Sequence, residues 1–598
     1  MLLVVIPMGC GLISLPMCKH LRFCRTLGVL SFASTLLLSV FLLVHITLNG
    51  GQVLVSQMGA WSAPYGIALV FDSLSGLLLA TASAVALGSY VHSFSMLGEA
   101  TEKRYFHPLI QVLMFGVNLS FLTGDLFNLY VSFELMLLAS YALMCLSGSR
   151  PQMSQAYKYV LLNLLASTVF VIAAGMAYAM LGTLNMADMA RIVQTKLAHG
   201  EALPTGFTAI GVMFLFVFGL KGAFFPLWFW LPDTYYTVPI SIAGLFGGML
   251  TKVGVYAVAR TFPLIFTPPN PGGAPGSAAW FSVGPITTLQ PFIAVAAAFT
   301  MFLAVLGAVS QHQVRRILSV HVISQVGYMV FGIAVMTGQA LAGCVFYMIQ
   351  HMVVKCSLFL CCGVMEKHTG SDDLDKIGGV LKRDLWLGVL FFVAAMSLVG
   401  LPPLSGFFGK MTIIQAGWSD FWWLSVFGLL TGALTLLSML KIFGYGFWSP
   451  EKTVEFNNPE QVKRSNRPAY VGIAMLVVMA LFLGFGAELV YKAAFNAGDQ
   501  LVNPKAYITA VLGKEAYESI GVKAVATEPS SHQATKAEKA VATEPPSHQA
   551  TKAEKAVATE PPSHQATKAE VARVASAPDS VASWLGGLVA TPQGGRLP

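Results

Sequence analysis

Stretches of roughly twenty apolar residues recur along this chain, separated by short polar connections. Twenty residues is about the length an α-helix needs to cross some 30 Å of hydrocarbon. Only 11% of the 598 residues are charged, whereas about a quarter are charged in an ordinary soluble domain. Inside hydrocarbon the backbone must satisfy its own hydrogen bonds, in helices or in a closed barrel, and runs this long exclude the barrel. The expected fold class is therefore an all-α polytopic membrane protein.

Spans fall near residues 1–17, 27–48, 66–92, 107–123, 125–147, 159–182, 206–230, 238–261, 286–309, 317–337, 341–364, 385–416, 421–444 and 468–493. That makes about fourteen transmembrane helices, with ends set to within a few residues. The first resembles a signal peptide in length, but its start is uncharged and Lys19, Arg22 and Arg25 follow it. This order reads as a retained span. Lys and Arg collect in alternate loops, while 49–65 and 262–285 carry none and 183–205, with Arg191 and Lys196, is the exception. By the positive-inside rule both termini are expected on the non-cytoplasmic side.

The net charge of +8 is scattered through short loops, a distribution that sets topology rather than binds nucleic acid. The eight cysteines lie mostly in apolar runs without metal-ligand spacing and read as small core residues. No metal site is expected. Neither a Walker lysine nor a dinucleotide fingerprint is present, so the chain is expected to be no enzyme and to hold no cofactor. After Ala494 the composition changes, and three near-identical sixteen-residue units of the form AVATEPPSHQATKAEK begin at Ala524, Ala540 and Ala556. Prolines, mixed charge and no large apolar residues cannot support a packed core. Residues 494–598 are expected to be a disordered tail, with the repeats at 524–570.

Against this background the ionisable residues inside spans stand out. Glu134 lies near the middle of LFNLYVSFELMLLASYALM, Lys221 in TAIGVMFLFVFGLKGAFFPLWFW, and Lys252 in PISIAGLFGGMLTKVGVYAVAR. An ammonium at the bilayer centre costs about 3 kcal/mol even on lenient insertion scales, and such groups usually mark ion paths. His351 and Lys355 are four residues apart, hence on one helix face. His321 is an additional candidate nearer a helix end. Lys410 follows Pro402 and Pro403, while Lys221 precedes Pro226. Prolines at membrane depth break helices, and broken helices line cavities or binding sites. The bland reading of all these groups is that buried charges merely fix helix packing.

Together these residues resemble a known family. GLKGAFFPLWFWLPD, followed by the helix with TKVGVY, looks like the paired lysine helices of proton-conducting antiporter-like subunits. YMIQHMVVKCSLF resembles that family's histidine–lysine helix, and VSFELMLLASY its glutamate helix. The family includes membrane subunits of respiratory complex I, hydrogenase-linked relatives and Mrp-type cation/proton antiporters. HVISQVGYM, with Gln325 where complex I subunits commonly place a histidine, and SGFFGKM are similar to the D subunits of the Mrp type. The likeness covers roughly residues 66 to 445.

The resemblance implies fourteen helices: N-terminal spans in 1–106, two inverted five-helix repeats at 107–261 and 286–444, and a last span in 445–493. It pairs Glu134 with Lys221, runs from Lys252 to His351 and Lys355, and ends the line at Lys410. It further implies a multisubunit antiporter in a bacterial inner membrane. The expected partners are other membrane subunits, the lipid bilayer, protons and a monovalent cation, Na+ or K+. The alternatives are a proton-pumping subunit of complex I or a membrane-bound hydrogenase, and a structural or assembly subunit.

Overall fold

The computed structural model describes residues 1–266, 289–451 and 466–520. The glycine- and proline-rich loop before 286 and the repeats at 524–570 lie outside the described residues. Ten described helices are long and apolar enough to cross a membrane, and four shorter apolar helices accompany them. The chain opens with α1 (Leu2–Ser14) and α2 (Leu21–Leu48). A small antiparallel pair follows, β1 (Leu54–Gln57) and β2 (Ala68–Phe71), the one sheet among the described residues. The third span starts later than the hydropathy suggests, because Asp72 stops the strand and caps α3 (Ser73–Met96). Ser75 N donates to Asp72 Oδ1 at 2.9 Å, and Asp72 N donates back to Ser75 Oγ at 2.8 Å.

After the short α4 (Glu99–Glu102), five spans run in order: α5 (Phe106–Leu122), α6 (Leu126–Met144), α7 (Arg150–Leu181), the interrupted α9 (Phe207–Gly222) and α10 (Leu231–Thr237), and α11 (Ile240–Thr261). Between α7 and α9 lies α8 (Met186–Ala198), a helix beside the spans. Its Arg191 pairs with Asp188 at 2.8 Å and Lys196 with Glu201 at 3.0 Å. The two cations that break the loop-charge pattern are thus matched by acids of the same loop. A second series of five repeats the order: α12 (Leu289–Ser310), α13 (Val314–Val335), α14 (Gly338–Thr369), the interrupted α16 (Leu385–Val399) and α17 (Ser405–Gly417), and α18 (Trp422–Ile442), with the four-residue α15 (Val380–Arg383) before α16. In both series the third helix has 32 residues and the fourth is broken. Five crossings is an odd number, so the second series starts on the opposite face from the first. That is the geometry of an inverted repeat.

The helices sort by their neighbours. The apolar windows of α11 and α14 are buried throughout, whereas only 28% of the α2 window is buried. Hydrophobic all round, α11 and α14 form the centre, and α2, α7 and α18 form the rim. Close approach at the centre depends on glycine. A Cβ on Gly254 of α11 would lie 2.5 Å from Gly222 N, at the end of α9. Gly222 is followed by Ala223 in the left-handed region, φ 59°, and there the helix stops. Pro226 lies within that break, but Pro232 sits in the first turn of α10, where its missing N–H breaks nothing. In the second series Gly400, φ 93°, ends α16, and Pro402 and Pro403 separate it from α17.

The helical chain does not end at 494. After α19 (Arg467–Phe485) it turns at Gly486 into α20 (Ala487–Val502), then α21 (Lys505–Leu512) and α22 (Lys514–Glu518). Ala493, Ala494, Ala497 and Leu501 are buried. A Cβ on Gly498 would lie 2.3 Å from Gly338 O, at the start of α14. The expected boundary at 494 therefore falls too early. Small residues allow two helices to touch in a membrane but score as weakly hydrophobic, so composition misplaces the end.

One ion pair ties these ends together. Arg260 of α11 donates to both oxygens of Asp72, at 2.5 and 2.9 Å, with both side chains buried. Tyr256 and Tyr507 flank the guanidinium, with ring centroids 5.5 and 5.3 Å away. Removing one member of a buried pair strands the other, at about 3–5 kcal/mol. Arg260→Met should lower the melting temperature of the detergent-solubilised protein, and adding Asp72→Asn should recover part of the loss. Gly254→Val should prevent assembly outright, read as loss of the monodisperse peak in size-exclusion chromatography.

Candidate functional site

The two helix breaks place one lysine each. Lys221 occupies the last turn of α9, one residue before its final Gly222. Its side chain is 5% exposed, and Nζ makes no hydrogen bond among the described residues. The ammonium stands 5.1 Å from the centroid of the Phe133 ring, a cation–π contact that offsets part of the lost hydration. Glu134 follows Phe133 on α6 and acts electrostatically on Lys221. No ion pair closes between them: the Glu134 carboxylate accepts a hydrogen bond from Ser167 Oγ of α7. Glu134 is half-buried, so it sits toward the rim and not in the centre.

Lys410 lies on α17, on the far side of the second break. Its Nζ donates to Leu398 O and Val399 O, both at 3.0 Å. These carbonyls belong to the end of α16, which a helix leaves without intrahelical donors. The Tyr328 and Tyr347 rings cover the ammonium, with centroids 4.7 and 5.8 Å away. Glycines make the contact: a Cβ on Gly406 would lie 1.9 Å from Ser397 O, and one on Gly409 would lie 2.9 Å from Tyr347 Cβ.

Between the breaks lies a buried basic group on α11, α13 and α14. Lys252 Nζ donates to Gly247 O at 2.6 Å and Thr251 Oγ1 at 3.1 Å. Both ring nitrogens of His351 and Nζ of Lys355 have no hydrogen-bond partner among the described residues. Lys355 acts electrostatically on Lys252 and on His321, and Lys410 acts on Lys355. His351 feels Lys252, Lys355, Lys410 and His321. His321 is fully buried, contrary to its expected place near a helix end, with Nε2 2.8 Å from Ser438 Oγ and Nδ1 3.3 Å from Ser324 Oγ.

The structure thus brings the candidates together in two groups. Glu134 and Lys221 form one. Lys252, His351, Lys355, Lys410 and His321 form the other. The groups meet through backbone, where α9 touches α11 at Gly222 and Gly254.

Several participants carry no signal a sequence alone would single out. Ser167, Ser438, Ser324 and Thr435 are ordinary small polar residues in apolar runs, and only packing shows what they touch. Gln325 Nε2 donates to Ser324 Oγ at 2.9 Å and Thr435 Oγ1 at 3.3 Å, while its Oε1 accepts from the Tyr347 hydroxyl. Gln325 thereby joins His321's neighbourhood to the tyrosine over Lys410. Asp125, by contrast, caps α6 through Asn128 N at 2.9 Å. Asn118, in a glycosylation-like triplet, is buried and donates to Leu3 O at 2.8 Å. Among the described residues no three His, Cys, Asp or Glu side chains converge as a metal-ligand set.

A titratable group buried without a fixed partner exchanges its proton according to nearby charge, so such a set can store and relay protons. Known proteins share this architecture. The family model for the NADH:quinone oxidoreductase/Mrp antiporter transmembrane region matches residues 123–435. The chain is 42% identical over 511 residues to the D subunit of a Na(+)/H(+) antiporter from Alkalihalophilus pseudofirmus, covering 85% of this chain and 98% of the relative. It is 38% identical to the corresponding Na(+)/H(+) antiporter protein of Bacillus subtilis, with the same coverage of each. A chain in the structure of the Mrp complex from Dietzia sp. DQ12-45-1b superposes with a TM-score of 0.75 at 29% identity, covering 86% of this chain and 98% of that one. A chain of respiratory complex I from Thermus thermophilus shares the fold, with a TM-score of 0.67 at 23% identity, covering 84% and 100%. The chain is a multi-span membrane protein and belongs to the NADH:quinone oxidoreductase/Mrp antiporter transmembrane family.

Proposed function

We propose that this chain is the D-type member of a multisubunit antiporter that exchanges a monovalent cation, Na+ or K+, for protons. On this reading it carries the protons and works beside other membrane subunits in a bacterial inner membrane, with both termini on the non-cytoplasmic side. The observation that supports it most is the pair of broken helices, each holding a buried lysine at its break: Lys221 beside the Glu134 helix, and Lys410 within electrostatic reach of the unpartnered His351 and Lys355. A packing role would call for closed ion pairs like Asp72–Arg260. Lys221 meets a ring face instead, and Lys410 meets neutral carbonyls and rings.

In the relay, Glu134 and Lys221 act as one switch. An ionised Glu134 stabilises the Lys221 ammonium, and withdrawing that charge releases the proton toward the centre. Lys252, Lys355 and His351 share a limited positive charge, because like charges in a low dielectric repel strongly. A proton arriving on one therefore displaces a proton from another. Lys410 ends the line, its ammonium held by two carbonyls and two ring faces, all of them neutral acceptors. No step involves electron transfer within this chain.

Liposomes containing the purified complex should acidify or alkalinise in response to a Na+ or K+ gradient without NADH or hydrogen. Glu134→Ala or Lys221→Ala should abolish that exchange while all subunits still copurify. A strict need for a redox substrate would instead identify a proton-pumping arm of a redox complex. Normal exchange by both variants would leave only a structural role. Ser167→Ala should slow exchange less than Glu134→Ala does, because it removes a hydrogen bond to the carboxylate and not the charge.

A further inference from the structure

At the basic end of the first spans, an open groove of about 480 Å³ runs between α1, α5 and α6. Leu15, Pro108, Leu109, Val112, Ala142 and Leu146 form its apolar wall, and Arg104 and Tyr105 stand among its lining residues. Tyr105 has φ 65°, so the backbone turns sharply just before α5 begins. Non-glycine residues in that region are uncommon and strained.

The acids near this mouth are already engaged. Glu102 is buried against Arg25, 2.5 Å away, and Glu99 pairs with Lys103 at 3.4 Å. Arg104, which is exposed, reaches only Leu146 O, at 3.5 Å, and has no acid partner among the described residues. Lys19, in the connection that follows Leu15, and Arg22, in the first turn of α2, are also exposed and without an acid partner among the described residues. The mouth is therefore a place of uncompensated positive charge at the boundary of a span, opening onto an apolar groove.

Within a membrane, apolar contact alone does not choose an occupant, since lipid tails are as apolar as leucine. Selection falls to the charged end. A tightly packed partner helix calls for small residues along its track, and here only Ala142 and Cys145 are small, beside three leucines, a valine and a proline. We propose that this groove is a binding site for an anionic phospholipid, its acyl chain lying between α1, α5 and α6 and its phosphate held by Arg104. Basic pockets between membrane helices recognise such headgroups by the same combination of charge and groove.

Native mass spectrometry of the intact purified complex tests this, after incubation with phosphatidylglycerol or with zwitterionic phosphatidylcholine. Phosphatidylglycerol adducts should exceed phosphatidylcholine adducts on the unaltered complex. Arg104→Glu should cut them at least about fivefold, the effect of one basic contact near a membrane surface, and Arg104→Lys should keep most of them. Ala142→Trp, at an exposed position, should fill the groove and also reduce them. Unchanged phosphatidylglycerol adducts in both Arg104→Glu and Ala142→Trp would overturn the assignment. So would a photo-crosslinker placed at Leu109 that captures another protein of the complex and no lipid.

Discussion

Carbonyl groups at the end of a broken helix have no water to turn to inside a bilayer, and the site is built on that constraint. At the end of α16 the Leu398 and Val399 carbonyls are closed by the ammonium of Lys410, arriving from the other half of the same broken helix. The bond solves two problems at once, because a free carbonyl and an unsolvated ammonium are each costly in hydrocarbon. It also ties a charge to the break, so protonation of Lys410 and the geometry of α16 and α17 depend on each other. The break in the first series is solved differently. There the Trp230 indole N–H donates to Leu220 O at 3.1 Å, and Lys221 is left with a ring face and a carboxylate with which it closes no ion pair.

That difference gives the two series distinct characters despite their common order. In the first, the carboxylate stands at the rim, bonded to Ser167, and the lysine beside it is unpartnered. In the second, no carboxylate accompanies the line among the described residues; His321, Ser324, Gln325 and Tyr347 make a chain of polar groups leading to Lys410. Glu134 acts electrostatically on its lysine, whereas Lys410 acts on other basic groups: His321, His351 and Lys355. Asp72–Arg260, closed on every side, marks the contrast: it fastens α3 to the end of the central α11 and leaves no group free to titrate.

Much of the candidate site is legible in the chain because ionisable residues are conspicuous in apolar runs. Glu134, Lys221, Lys252, His351, Lys355 and Lys410 announce themselves by the cost of burying them, and Pro402 and Pro403 announce the second break. A proline in the first turn of a helix, as Pro232 is in α10, looks the same in sequence as one that breaks it. Ser167 and Ser438 are silent, because a serine among apolar residues gives no hint of what lies across from it. The end of the helical chain is misplaced for a related reason. Ala493, Ala494, Ala497 and Gly498 are weakly hydrophobic by composition, yet they are what lets α20 lie against α14.

By itself the sequence determined the class and the cast: helices as long as the membrane is thick, two proline breaks, and a short roster of groups able to hold a proton. These are local properties of length, hydropathy and charge, and they need no partner to be read. Tertiary structure alone decided which of those groups are left unpaired, and that they fall into two sets meeting where Gly222 touches Gly254. It decided as well that Arg260 is a fastener and that Arg104 is free of any acid among the described residues. Hydrogen bonding and electrostatic reach depend on distances of a few ångströms between helices far apart in the chain, and only the packed bundle sets them.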